Sequence, residues 1–204
     1  MNIVRQPWIP LVLIGLLAVI ILLAPAERTL GDGIRWVYVH VGLVWAGGLG
    51  LGIAAALGLG AVITNRAALG TWTLTVGRAG LAAFGLGIVF SMVAASVNWG
   101  AVSLWEPRMA ASLRFLAVAV ILQVVGGWAP SPRVTGLLAI GTAALLFLDV
   151  GGAPLVMHPR DPVRQASSSA IQATFAASFA IATSLLAWGI ARTAPARSIA
   201  SSHH

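Results

Sequence analysis

Two histidines, His40 and His158, carry the clearest potential for chemistry here, because each stands in or beside long apolar segments. Neutral imidazole is a good axial ligand for haem iron, and two histidines can fill both axial positions. Between them lies the segment Trp99-Gly100…Trp105-Glu106-Pro107-Arg108. Aromatic side chains can cover porphyrin faces, and arginines can pair with porphyrin carboxylates. These residue types predict a bis-histidine site for haem b.

Each of these residues also has a simpler interpretation. A histidine near a helix end is often an interfacial residue with access to water, which applies to His40. In a polar loop, His158 alone is expected to be solvated. Tryptophans near the ends of apolar segments are typical of an aromatic belt. The loop arginines could be solvated charges; they are Arg108, Arg160 and Arg164.

Arg114 is harder to explain as a solvated charge, because it lies inside an apolar segment. A charge at such a position is costly unless it snorkels or has an anionic partner. Asp149, near the same level of the next apolar segment, could be that partner. Both residues would then have a structural role.

The composition places the chain in a membrane. It is 59% hydrophobic and 8% charged, with a mean hydropathy of +0.95, and a soluble domain of 204 residues cannot bury that much apolar surface. The absence of cysteine excludes disulfide, thiolate and iron–sulfur chemistry. The net charge of +7 is spread over short loops, which argues against nucleic acid as a partner.

Six apolar segments are long enough to cross a bilayer as helices. The sequence therefore predicts an all-α integral membrane bundle of six transmembrane helices. It forms a single transmembrane domain over residues 1–204, with a disordered tail over 193–204. The predicted spans are 8–24, 36–62, 80–97, 110–128, 134–151 and 169–190.

An even number of spans places both termini at one end of the bundle, which we call the first side; the other end is the second side. Both histidines and the Trp99–Arg108 segment then belong to the second side. The arginines divide six to six, so the positive-inside rule does not orient the chain. If second-side arginines are kept for an anionic ligand, the termini are cytoplasmic and the site faces outward.

The second predicted span is rich in glycine. Gly48 and Gly52 form a small-xxx-small pair, which would let another helix pack closely. The glycines do not indicate a nucleotide loop, because no strand precedes them.

Three short segments resemble the CcmC branch of the haem-handling proteins of cytochrome c biogenesis. Arg35-Trp36-Val37-Tyr38-Val39-His40-Val41, followed by Trp45, resembles that family's R-x-x-Y-x-H-V segment. Trp99-Gly100 with Trp105-Glu106-Pro107-Arg108 resembles W-G-x-W-W-x-W-D-P-R, with Val102 and Ser103 at the central tryptophans and Glu106 for the aspartate. His158-Pro159 resembles the second histidine segment, and Gly42 stands where a proline is common.

The resemblance implies six spans, with His40 and His158 as axial haem ligands. The haem-contacting loop would comprise Trp99, Gly100, Trp105, Glu106, Pro107 and Arg108. It also implies haem delivery during cytochrome c maturation in the cytoplasmic (inner) membrane. The partners would be a membrane-anchored haem chaperone, the other maturation subunits and the lipid bilayer. Ligation and release change only the coordination of the haem iron and break no bond within the protein or the haem, so we expect no enzyme activity.

Two other functions remain open from the residues. A haem-free permease for a small solute would need a polar site near the midplane. A structural membrane subunit would use its Gly48/Gly52 face to bind another protein.

Overall fold

The computed structural model describes residues 6–156 and 168–193 and is helical throughout its long elements. The prediction of an all-α membrane bundle is confirmed. A π-helical turn over Leu146–Val150 continues α5. The helices are α1 (Trp8–Leu23), α2 (Ile34–Thr64), α3 (Ala67–Trp99), α4 (Pro107–Gly127), α5 (Pro132–Leu145) and α6 (Ser169–Thr193).

Five of these six helices, α2 to α6, are long and apolar enough to cross a membrane when α5 is taken with its π-helical turn. The chain is therefore a multi-pass membrane protein. With 16 residues, α1 is shorter. At 1.5 Å per residue it extends about 24 Å, against roughly 30 Å for the hydrocarbon core of a bilayer.

The third helix begins 13 residues earlier than predicted, at Ala67 rather than at residue 80. The predicted spans 36–62 and 80–97 leave Arg66 and Arg78 in the loop between them, and for Arg78 this was wrong, because it lies within α3. The hydroxyls of Thr71, Thr73 and Thr75 each donate to the carbonyl four residues earlier, so these polar residues fit a helix. The connection between α2 and α3 is reduced to two residues, Asn65 and Arg66.

The antiparallel pair of α2 and α3 is the most extensive contact between helices. Glycines bring the two backbones together. A Cβ on Gly47 would lie 2.8 Å from the Gly80 carbonyl oxygen, and one on Gly50 would lie 2.9 Å from Gly80 Cα. On the same helix, Gly58 meets Gly136 of α5 in the same way. This close packing of small residues is typical of helices in lipid.

Among the described residues, α2 therefore does not pack through the predicted pair Gly48/Gly52. Gly48 has only the tip of the Leu146 side chain near its Cβ position, and Gly52 is exposed with no atom within 4 Å. Successive helical residues are rotated by about 100°, so Gly47 and Gly48 face different directions. Whether the Gly52 face binds another protein stays a prediction.

The remaining helices pack on either side of the central pair. Phe84 of α3 and Phe115 of α4 meet edge to face in a core that α5 residues border. On the other side, Tyr38 of α2 is fully buried and meets Phe175 of α6 edge to face, with ring centroids 4.7 Å apart. Trp188 of α6 donates through Nε1 to the Gln6 carbonyl, 3.2 Å away. The start of α1 and the end of α6 thus lie together at the first side.

Candidate functional site

His40 lies six residues into α2, about 9 Å from the helix start at 1.5 Å per residue, and its ring reaches α3. Its Nδ1 is 2.9 Å from the Gly87 carbonyl oxygen. A carbonyl oxygen can only accept, so Nδ1 carries the hydrogen of the neutral ring. The lone pair of the neutral imidazole is then on Nε2. Metal-binding histidines often donate their other ring N–H to a backbone carbonyl, which fixes the tautomer in this way.

Gly87 makes this contact possible because it has no side chain. A Cβ at this position would lie 2.7 Å from Val44 Cγ2 and 2.9 Å from the Val44 backbone nitrogen. Both distances are shorter than any real Cβ contact, so α2 and α3 would have to separate. Gly87 is a positioning residue for His40 that the sequence analysis missed; a glycine midway along an apolar segment was its only signal.

One turn nearer the second side, Trp36 of α2 stacks on Phe90 of α3. The ring centroids are 6.2 Å apart and the rings are inclined by 24°. Trp36 precedes His40 by four residues and so shares its face of the helix. The half-exposed Trp36 ring thus offers an apolar surface close to the imidazole. Phe90 was not singled out from the sequence either.

Tyr38 and Gly42 flank His40 and have structural roles. The Tyr38 hydroxyl donates to the Pro25 carbonyl oxygen, 3.3 Å away, which ties α2 to the connection after α1. A Cβ on Gly42 would lie 3.0 Å from the Ser178 carbonyl carbon and oxygen of α6. Glycine at this position therefore allows α2 and α6 to approach closely on the side away from Gly87.

The Trp99–Arg108 segment connects α3 to α4 at the second side, as predicted. Gly100 ends α3 in the left-handed conformation, with φ of 74°, which glycine adopts without strain. Asn98 donates to the Gly33 carbonyl oxygen at 3.2 Å and so fixes the end of α3 against the start of α2. Trp99 and Trp105 are exposed, and Trp105 is 90% accessible. The segment is therefore a surface loop, and the side chains of both tryptophans are exposed on it.

Glu106 and Pro107 begin α4. Glu106 is the N-cap, and its Oε2 accepts from the Met109 backbone nitrogen at 2.7 Å. Pro107 occupies the first helical position, where its missing N–H has no intrahelical partner to lose. Only 6% of Glu106 is exposed. An acidic residue followed by proline is thus explained by helix capping, whatever else the loop contacts.

Arg114 and Asp149 form an ion pair, with Nη2 and Oδ1 2.8 Å apart. The partner suggested from the sequence is therefore confirmed. The π-helical turn after α5 brings Asp149 to this position. The pair lines an open cavity of about 430 Å³ between α4 and the end of α5. Trp105 and Pro107 line the same cavity, and a volume of this size is within the usual range for small-molecule sites.

The structure brings some predicted site residues together and separates others. Trp105, Pro107 and the Arg114–Asp149 pair share the 430 Å³ cavity, whereas His40 is not among its lining residues. Arg35 and Arg108, also near the second side, each bury an Nε atom that has no hydrogen-bond partner among the described residues, and Arg35 pairs through Nη2 with Asp32 at 3.0 Å. Predicted as the second ligand, His158 lies outside the described residues, and so do Arg160 and Arg164.

Comparison with known proteins gives no family for this chain. No protein-family model matches the sequence, and no curated protein matches it significantly.

Proposed function

We propose that this protein binds haem at the second side of the membrane and passes it on during cytochrome c maturation. His40 is one axial ligand, through Nε2, and His158 is the other. The observation that carries the proposal is the hydrogen bond from His40 Nδ1 to the Gly87 carbonyl oxygen. It fixes the tautomer that a haem ligand requires and holds the ring between two packed helices.

The surroundings of His40 fit an apolar macrocycle that carries carboxylates. Trp36 offers an aromatic surface one turn away. Arg108 has a buried Nε without a hydrogen-bond partner among the described residues, and guanidinium groups bind carboxylates well. Arg35 pairs through Nη2 with Asp32 at 3.0 Å, so a haem carboxylate would share Arg35 with Asp32. Trp99 and Trp105 project from the exposed loop at the same side, where a haem could enter or leave.

Haem is the cargo in this proposal, and the protein's part is ligation and release. Trp99, Gly100, Trp105, Glu106, Pro107 and Arg108 form the loop that contacts haem b, in accordance with the resemblance to the CcmC branch. The acceptor is a membrane-anchored haem chaperone that acts with the other maturation subunits. The protein is then located in the cytoplasmic membrane, with cytoplasmic termini and an outward-facing site. It is not an enzyme.

The proposal is tested by the haem content and absorption spectrum of the purified protein. We expect a low-spin bis-histidine spectrum that His40→Ala and His158→Ala each abolish. A protein that keeps the same spectrum in both variants would overturn the ligand assignment. His40→Gln keeps a polar side chain of similar length and serves as a second variant, in case the alanine protein folds poorly.

A further inference from the structure

The described bundle contains a small polar site far from His40, between α3, α4 and α5. Gln123 of α4 is only 9% exposed although it lies in a membrane-spanning helix. Its Oε1 is buried and has no hydrogen-bond partner. Such an oxygen is unfavourable in an apolar interior unless something donates to it.

The amide of Gln123 lies against the backbone of α3. A Cβ on Gly77 of α3 would collide with Gln123 Nε2, so the amide lies directly over the α3 backbone. Glycine at this position makes the room for the amide. Gln123 is therefore held between α3 and α4, with one end of its amide against Gly77.

A small, partly enclosed cavity of about 10 Å³ adjoins the amide, and three buried threonines line it. Their hydroxyl hydrogens are already used for helix carbonyls. Thr73 donates to Leu69 at 2.8 Å, Thr142 to Leu138 at 2.8 Å, and Thr135 to Gly126 at 3.3 Å. The threonine oxygens and Gln123 Oε1 thus leave acceptors at the cavity, which fits a small molecule that donates hydrogen bonds.

We propose that this cavity holds one ordered water molecule, which donates to Gln123 Oε1 and to a threonine hydroxyl oxygen. About 10 Å³ of space for its centre is the lower limit for one water, and a buried water needs two to four polar partners. Water is a small neutral molecule that can donate two hydrogen bonds. It would join α3, α4 and α5 near the first side, independently of any haem.

A structure of the full chain in lipid nanodiscs, at a resolution that shows ordered water, tests the proposal. We expect a density peak within hydrogen-bond distance of Gln123 Oε1 and of at least one of the three threonine hydroxyls. The peak should disappear in Gln123→Met, which keeps the side-chain length but removes the acceptor. An empty cavity in the wild-type protein, or a Gln123 amide turned to bond a protein group, would overturn the proposal.

Melting temperatures in detergent provide a second measurement. If water bridges Gln123 and Thr142, the melting temperature of the double variant Gln123→Met/Thr142→Val falls by less than the sum of the decreases in the two single variants. Thr71→Val is the matched control, because Thr71 makes the same bond to its helix but is exposed. In Gln123→Met/Thr71→Val the melting temperature should fall by the sum of the two single decreases. Additive losses with Thr142→Val, as with the control, would count against the bridge.

Discussion

His40 and Gly87 lie on neighbouring antiparallel helices and are joined by a 2.9 Å hydrogen bond from the imidazole Nδ1 to the backbone carbonyl oxygen. The bond depends on the close approach of α2 and α3, which glycines permit. It fixes both the position and the tautomer of the imidazole. The proposed haem ligand is thus held by the backbone of a second helix.

We predict that Gly87→Ala reduces both stability and haem content. The new Cβ would overlap the Val44 backbone nitrogen, and overpacking of this kind costs about 1–3 kcal/mol. The separation of α2 and α3 would also break the His40 hydrogen bond. Thermal unfolding and haem absorbance per protein measure the two effects.

The matched control is Gly85→Ala on the same helix. Its Cβ would meet only Leu116 Cδ1, at 3.4 Å, an ordinary contact with a flexible side chain. We expect little change in stability or haem content. Equal losses in both variants would show that α3 tolerates no alanine here, and the positioning role of Gly87 would lose its support.

We predict that Glu106→Ala destabilises the start of α4, because it removes the acceptor for the Met109 nitrogen. Loss of an N-cap costs about 0.5–2 kcal/mol. Glu106→Asp should retain most of the stability, because aspartate is a preferred N-cap residue. Hydrogen exchange of the Met109 amide reports the cap directly. Fast exchange in Glu106→Ala and slow exchange in Glu106→Asp are expected; equal rates would exclude the capping role.

We predict a measurable coupling between Arg114 and Asp149. The side chains are 62% and 26% exposed, so the pair should contribute about 0.2–1 kcal/mol, in the range of exposed ion pairs. A double-mutant cycle of Arg114→Gln and Asp149→Asn measures it, and added salt should weaken it. Arg78→Gln with Asp149→Asn is the control cycle and should be additive. A coupling of the same size in both cycles would show that the direct pair contributes nothing.

The connection between α1 and α2 should depend on pH through Glu27. Its carboxylate accepts from the Leu30 and Thr29 backbone nitrogens at 2.8 and 2.7 Å. The hydrogen bond from Leu30 is the main cause that lowers the pKa of Glu27 below its ordinary value of 4.5. The stability contributed by the hydrogen bonds to the ionised Glu27 carboxylate is therefore present above pH 4.5. It is lost as the pH falls through the lower pKa that Glu27 has in the folded state.

Carboxyl chemical shifts of Glu27 across an acid titration measure this pKa. We expect a midpoint below 4.5, together with faster exchange of the Leu30 amide as the carboxylate is protonated. A midpoint at or above 4.5 would contradict the hydrogen-bonded turn.

The sequence predicted the helices because a long apolar segment in lipid must satisfy its backbone hydrogen bonds internally, and a helix does so. It also predicted the Arg114–Asp149 pair, since two charges at one depth of neighbouring apolar segments require each other. The glycines by which α2 packs against α3 were not predicted, because the seven glycines of α2, among them Gly47, Gly48 and Gly52, point in several directions. Composition does not show which of those directions faces another helix. That depends on the shape of the surface that α3 presents.

The partners of the site residues were harder to predict. Gly87 acts through its carbonyl and its lack of a side chain, and neither property distinguishes it from other glycines in the sequence. The cavity at Gln123 depends on three helices meeting. Its polar residues, Thr73, Gln123, Thr135 and Thr142, are all buried, and they come from separate parts of the sequence.

The alternative functions have their own tests. A permease would need a site for its solute. The open 430 Å³ cavity beside the Arg114–Asp149 pair is large enough for a small molecule, whereas the polar cavity at Gln123 has room for about one water. Specific solute uptake by a haem-free preparation would favour that function. If Gly48→Leu disrupted a complex while haem content stayed intact, a structural subunit would be favoured.

The absorption spectrum of the purified protein, compared between wild type and His40→Ala, tests the central claim most directly. Gly52→Ala serves as the control, because a Cβ at Gly52 meets no atom within 4 Å. We predict a bis-histidine haem spectrum in the wild type and in Gly52→Ala, and its loss in His40→Ala. An unchanged spectrum in a folded His40→Ala protein would contradict the assignment of His40 as a haem ligand.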